Sequence, residues 1–136
     1  MFEDWVFHDV SPVFLQLEAK LKNAILSGKL AAGTELPPIH KAAKALNINS
    51  NTVAKAYSYV CLDGLVEHKK YGRYVVIQDN GFIQRTRENA AKSLCYAYYF
   101  GMFDLGFTKQ EADKMIEEFI REFPHKVGKS RLDENV

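Results

Sequence analysis

The sequence predicts a mainly α fold with one small β-hairpin, and three observations carry that expectation. Apolar residues recur at helical spacing in three runs before Asp63, each bounded by cap or turn residues. Two β-prone runs then flank a basic segment that holds a single glycine. Beyond Gly81 come two more helical runs, the first apolar over a wide arc. The expected organisation is a winged helix-turn-helix over 1–79, a helical pairing segment over 80–124 and a flexible tail over 125–136.

Ser11 and Pro12 form a helix-start signal, a capping hydroxyl before a proline whose fixed φ suits the first turn. Phe14, Leu17, Leu21, Ala24 and Ile25 follow at helical spacing, leaving Lys20, Lys22 and Asn23 to face water, and Gly28 is placed to end the helix. Residues 30–35 form a short connector. Pro37 and Pro38 forbid helix upstream but allow one to begin, and Ile39, Ala42, Ala43 and Leu46 give the stripe of a short second helix.

Residues 47–50, Asn-Ile-Asn-Ser, break that stripe with groups that turn the backbone and cap the next helix. In the third helix Val53, Ala56, Tyr57 and Val60 keep the spacing, and Asp63-Gly64 stops it. Residues 65–68 and 74–77 are the expected hairpin strands, joined by Lys69-Lys70-Tyr71-Gly72-Arg73. Asp79-Asn80-Gly81 marks a boundary. A helix over about 84–105 then carries Ala91, Leu94, Cys95, Tyr98, Tyr99, Met102 and Phe103, an arc wide enough for two neighbours. Gly106 ends it, and Thr108 with Glu111 forms a capping box for a last helix bearing Ala112, Met115, Ile116, Phe119, Ile120 and Phe123, stopped by Pro124.

Bulk properties bound the function. The 136 residues suit one domain with an appendage, and 47% hydrophobic with 26% charged residues is an ordinary globular composition. A net charge of +1 argues against bulk coating of nucleic acid, so any such contact must rest on local charge. The segment 37–73 supplies it, with Lys41, Lys44, Lys55, Lys69, Lys70 and Arg73 against Asp63 and Glu67. Cys61 and Cys95 are too few and too separated for a disulfide framework or zinc site and are expected as buried free thiols. His8, His40, His68 and His125 lack ligand spacing, and no cofactor or metal is expected. Glu3, Asp4 and Trp5 stand where a signal peptide needs a basic start, and no apolar run reaches a membrane span, so the expected compartment is the cytoplasm.

Two short helices joined by a tight turn, the second exposing small polar and basic groups near its start, fit the DNA major groove, which is about 12 Å wide. Asn51, Thr52 and Lys55 are the side chains expected nearest bases, with Asn49 and Ser50 at the turn and Pro38, His40 and Lys41 on the preceding helix. Lys69, Lys70, Gly72 and Arg73 form a basic wing for phosphate or the adjoining groove. The plainer reading makes 49–52 only a helix cap and the lysines a solvated face; the order helix, helix, turn, helix, basic hairpin favours double-stranded DNA as partner.

The run Leu36-Pro37-Pro38, then 46–57, then Asp63-Gly64-Leu65-Val66-Glu67 resembles the DNA-binding domain of GntR-family transcription regulators, starting near Pro12 and ending at the wing. The chain's length and its two helices beyond the wing resemble the short YtrA-type branch, which implies a homodimeric, repressor-like regulator paired through those helices. Leu94, Tyr98, Tyr99, Met102, Phe103, Met115, Ile116 and Phe119 are the expected pairing residues. The aromatic group Tyr96, Tyr98, Tyr99, Phe100 and Phe103 fits such an interface better than a small-molecule pocket. An effector stays open, since the sequence names no ligand.

The chain departs from the family pattern at Pro38 and His40, where serine then arginine are usual, and in a wing with one glycine where two are usual. These departures and the near-neutral pI of 7.8 motivate an alternative, a winged domain turned to protein interaction with weakened DNA binding. An enzyme finds no support: there is no nucleophile and base pair, phosphate-cradling loop or ligand cluster in the pattern.

Overall fold

A computed structural model describes residues 1–122. The expected fold class is borne out: five helices and one antiparallel hairpin stand in the order α1 (Val13–Leu26), α2 (Ile39–Leu46), α3 (Ser50–Leu62), β1 (Val66–Lys69), β2 (Arg73–Val76), α4 (Asn80–Asp104) and α5 (Lys109–Glu122). The proposed tail over 125–136, with Phe123 and Pro124 before it, lies outside the described residues. Two compact units divide the chain, Met1–Asn89 and Ala90–Val136, and α4 runs through both.

The core of the first unit holds most of the set the helical spacing picks out, while Phe14, Ile39 and Leu46 of that set are only half-buried. Leu17, Leu21, Ala24 and Ile25 of α1 are buried with Ala42 and Ala43 of α2 and Val53, Ala56, Tyr57 and Val60 of α3. The two alanines allow close approach of α2 to α3. Asn47 ends α2 in left-handed backbone at φ 55°, a conformation asparagine tolerates, and Asn49 caps α3 by accepting the Asn51 N–H at Oδ1, 2.7 Å away. Gly64 then turns the chain at φ 78°, and a Cβ there would meet the Phe82 ring at 3.3 Å, so the first turns of α4 pack directly on this turn.

The hairpin pairs Val66 with Val76 through Lys69 with Arg73, each strand one residue from the expected bounds. The connector before α2 joins it. Val76 N donates to Thr34 O at 2.8 Å, Gly33 N to Val76 O at 2.9 Å and Leu36 N to Tyr74 O at 2.8 Å, so β2 is flanked on both sides. Nothing in the Leu-Ala-Ala-Gly-Thr-Glu connector alternates like a strand; its pairing comes from where α1 and α2 leave the chain.

Several local expectations are corrected. Ser11 does not cap α1; Pro12 occupies the cap position, and the Ser11 carbonyl accepts a hydrogen bond from the buried Gln16 amide at 2.8 Å. That amide also bonds both backbone groups of His8, tying the N-terminal segment to α1. Lys20 and Lys22 are half-buried rather than solvated, and Lys20 Nζ lies 5.9 Å from the Phe7 ring centroid. The boundary at 79–81 is a helix start: Asp79 Oδ1 accepts the Phe82 N–H at 3.0 Å, so α4 begins four residues before the expected 84. Cys61 is half-buried and Cys95 exposed, because the apolar arc of α4 has no cover there among the described residues.

The second unit is a helical hairpin. Thr108 Oγ1 accepts the Glu111 N–H at 3.2 Å while Glu111 Oε1 accepts the Thr108 N–H at 3.0 Å, the reciprocal capping box expected before α5. Tyr98 donates its hydroxyl to the Ala112 carbonyl at 2.5 Å and Tyr99 donates to Asp113, joining α4 to α5 around the fully buried Ala112.

Candidate nucleic-acid interface

The first turn of α3 is solvent-facing. Asn49, Ser50 and Asn51 are exposed, Thr52 is half-buried and Lys55, one turn on, is exposed. The helix places them so because Val53, Ala56, Tyr57 and Val60 take its opposite face into the core. Asn49 accepts the cap hydrogen bond with its side-chain oxygen, and its amide N–H groups take no part in that bond. Lys55 Nζ rests 3.9 Å from the Phe14 ring centroid, and Phe14 in turn stacks on Tyr59 at 5.5 Å.

On α2, Pro38, His40 and Lys41 are all exposed, with Pro38 at the N-cap. Below them Tyr57 donates its hydroxyl to the Pro37 carbonyl at 2.8 Å and packs edge-on to Tyr74 at 4.9 Å. Burial, then the neighbouring Tyr74, raises the Tyr57 phenol far above its ordinary value, so it remains a donor.

The wing changes the charge count. Arg73 Nε meets Glu35 Oε1 at 3.0 Å, and Lys69 Nζ lies 3.7 Å from Glu67 Oε2, so two of the three wing cations have acidic neighbours. Glu35 was invisible as a partner because the connector's pairing with β2 brings it there. Lys70 and Gly72 are exposed at the tip. Between them Tyr71 adopts φ 63° and is 98% exposed, a residue that the charge pattern alone passes over. His68 is not a ligand but a packing ring, stacked on Tyr74 at 4.2 Å. Among the described residues no group of His, Cys, Asp and Glu could hold a metal ion, and no helix is long and apolar enough to cross a membrane.

In the second unit the expected pairing residues fall into two sets. Leu94, Phe103, Met115, Ile116 and Phe119 are exposed, Leu94 by 74%. Tyr98, Tyr99 and Met102 are half-buried, the tyrosines with their hydroxyls on α5 of the same chain. Tyr96, Phe100 and Ile120 add to the exposed apolar set. Hydrogen bonds from Tyr99 and Lys109 hold the Asp113 carboxyl below its ordinary value, which keeps the hairpin's acceptor ionised. Back in the first unit, a hollow of about 330 Å³ lies between the end of α1 and the start of α4, lined by Leu26, Leu30, Ile83 and the exposed Arg87 among others.

The family model for bacterial regulatory proteins of the gntR family matches residues 14–76. The HTH-type transcriptional regulator Rv1152 of Mycobacterium tuberculosis is 33% identical over 114 residues, covering 80% of this chain and 88% of that protein. The HTH-type transcriptional repressor YtrA of Bacillus subtilis is 27% identical over 99 residues, covering 68% and 75%. Among solved structures, a GntR family transcriptional regulator from Listeria monocytogenes superposes with a TM-score of 0.74 at 23% identity, covering 82% of this chain and 98% of that one. YtrA from Sulfolobus acidocaldarius, a GntR-family transcription factor, gives a TM-score of 0.51 at 26% identity, covering 86% and 95%. With its helix-turn-helix and wing in place and two helices beyond them, the chain belongs to the GntR family of DNA-binding transcription regulators and is of the YtrA type.

Proposed function

We propose that this regulator acts as a homodimeric repressor on a pseudo-palindromic operator. The observation that carries the reading is the pairing of two open surfaces in one chain: a polar first turn of α3, and apolar side chains of α4 and α5 left bare. Among the described residues Leu94, Tyr96, Phe100, Phe103, Met115 and Ile116 are large apolar side chains open to water, and a twofold copy of the same surface is the simplest cover. Two α3 helices then read half-sites about 34 Å apart. Ser50, Asn51, Thr52 and Lys55 meet base edges, while His40, Lys41, Lys69, Lys70 and Arg73 meet phosphate. The name of the Bacillus subtilis relative supports repression.

Selection of duplexes from a random pool, with sedimentation of the purified protein, tests this. A dimer that enriches an inverted repeat, becomes monomeric as the Leu94→Glu, Phe103→Glu variant and loses the repeat as Asn51→Ala, Lys55→Ala is the expected result. A monomeric wild type, or a pool that enriches no sequence, overturns it. The Arg73–Glu35 pair, which withdraws a wing cation, favours a second reading in which the wing serves protein contact. An unenriched pool together with an intact dimer would select that reading.

A further inference from the structure

Lys55 is held in place without being neutralised, which sets it apart from the other cations near the interface. Arg73 lies 3.0 Å from the Glu35 carboxylate and Lys69 lies 3.7 Å from that of Glu67, so both are partly neutralised. Lys41 and Lys70 are exposed and, among the described residues, tied to nothing. Lys55 makes no ion pair among the described residues, yet its Nζ rests 3.9 Å from the centroid of the Phe14 ring. A ring face attracts an ammonium without accepting a conventional hydrogen bond from it, so all three of its N–H donors stay open to an acceptor.

The ring is itself fixed. Phe14 begins the apolar stripe of α1 one turn before the buried Leu17, and it sits half-buried at the rim between α1 and α3. Tyr59 stacks on it with the two planes 17° apart. Lys55 and Tyr59 are one turn apart on α3, so a single helix supplies both neighbours of the ring. The lysine also lies closer to its ring than Lys20 to Phe7 at 5.9 Å or Lys109 to Tyr99 at 5.7 Å.

We infer that Phe14 is a positioning residue for DNA recognition: it holds the Lys55 ammonium at one point over the half-site, where that cation meets a guanine, whose O6 and N7 are acceptors on the major-groove edge. This rests on the regulator reading above. The consequence is discrimination rather than general affinity. An untethered lysine finds a phosphate on any duplex, the contact that releases counterions. A lysine already confined by a ring loses little side-chain freedom when the right base stands before it, and gains nothing on a duplex without that acceptor.

The test uses the full chain and compares the duplex that the wild type itself enriches from a random pool with an unrelated duplex of equal length. Binding is measured by fluorescence anisotropy across a potassium chloride series. Phe14→Leu is expected to bind the enriched duplex about threefold to fivefold more weakly, to bind the unrelated duplex as the wild type does, and to keep the wild-type salt slope. A selection repeated with Phe14→Leu relaxes at one base pair per half-site, the same one that relaxes with Lys55→Met. In the Lys55→Met background Phe14→Leu causes no further loss, whereas a purely structural role for the ring would cost binding in either background. Phe14→Tyr, the conservative change that keeps the ring, restores both affinity and base preference. Wild-type affinity of Phe14→Leu for the enriched duplex, equal losses on the two duplexes, or an undiminished loss in the Lys55→Met background overturns the inference and leaves the regulator reading standing. A wild type that enriches no duplex overturns both.

Discussion

The hydroxyl of Tyr57 donates a 2.8 Å hydrogen bond to the carbonyl of Pro37, twenty residues earlier, and so fixes the middle of α3 to the prolines that open α2. The ring is fully buried, and the half-buried Pro37 carbonyl would lose this side-chain partner without the hydroxyl. Tyr57→Phe is expected to lower unfolding stability by about 1 kcal/mol, and Tyr57→Ala by about 3–5 kcal/mol through the added cavity. Urea denaturation measures both, and equal losses in the two variants would refute the packing part of the account.

Lys55 and Phe14 bind α3 to α1 on the surface that faces the proposed partner. With Nζ 3.9 Å from the ring centroid, a double-mutant cycle of Phe14→Leu and Lys55→Met should return a coupling of about 0.5–1 kcal/mol. A coupling of zero would show that the lysine spends its time in water.

Glu18 sets a pH dependence. Burial first, then the facing Asp63 carboxyl, raises Glu18 above its ordinary 4.5, with Lys22 opposing. Asp63 Oδ2 is itself buried without a hydrogen-bond partner. For a carboxyl raised on folding, the native state holds more protons than the unfolded one between the two values. The contribution is thus fully present below 4.5 and lost as pH rises through the raised value. Glu18→Gln should therefore stabilise the protein at neutral pH and flatten its stability profile in the mildly acidic range. Thermal melts from pH 4 to 8 read the sign; a destabilised Glu18→Gln at pH 7 would contradict it.

Glu111 carries the opposite sign. The Thr108 N–H, and then the Thr108 side chain, hold its carboxyl below 4.5, so its contribution is present above that value and fades as pH falls. Thr108→Ala should melt α5 about 5 °C earlier at pH 7 by circular dichroism, and Glu111→Gln should keep the cap while removing its acid sensitivity.

How far the sequence could be read follows from the range of each interaction. The α3 stripe, the Asn49 cap, the Thr108 and Glu111 box and the glycine stops rest on neighbours within four residues, and all stand where spacing puts them. Ser11 looked like a cap because its type is right; Gln16, five residues on, claims its carbonyl instead. Asp79-Asn80-Gly81 reads as a boundary before a helix from about 84, yet Asp79 caps a helix that begins at Asn80, with Phe82 packed on Gly64.

In the interface the division is similar. The polar first turn of α3 and the basic hairpin were legible as residue types. Their electrostatics were not: Glu35 reaches Arg73 across 38 residues, and Lys55 leans on Phe14 from 41 away by sequence.

The sequence by itself determined the kinds of element, their order and the buried stripes, since periodicity, caps and turn residues act over a single turn of chain. Only the tertiary structure decided which charges remain available, which tyrosines fasten α4 to α5 and which apolar groups stay bare. Those outcomes depend on distances between segments remote in sequence, where closing the loop between them and the packing around them settle who meets whom.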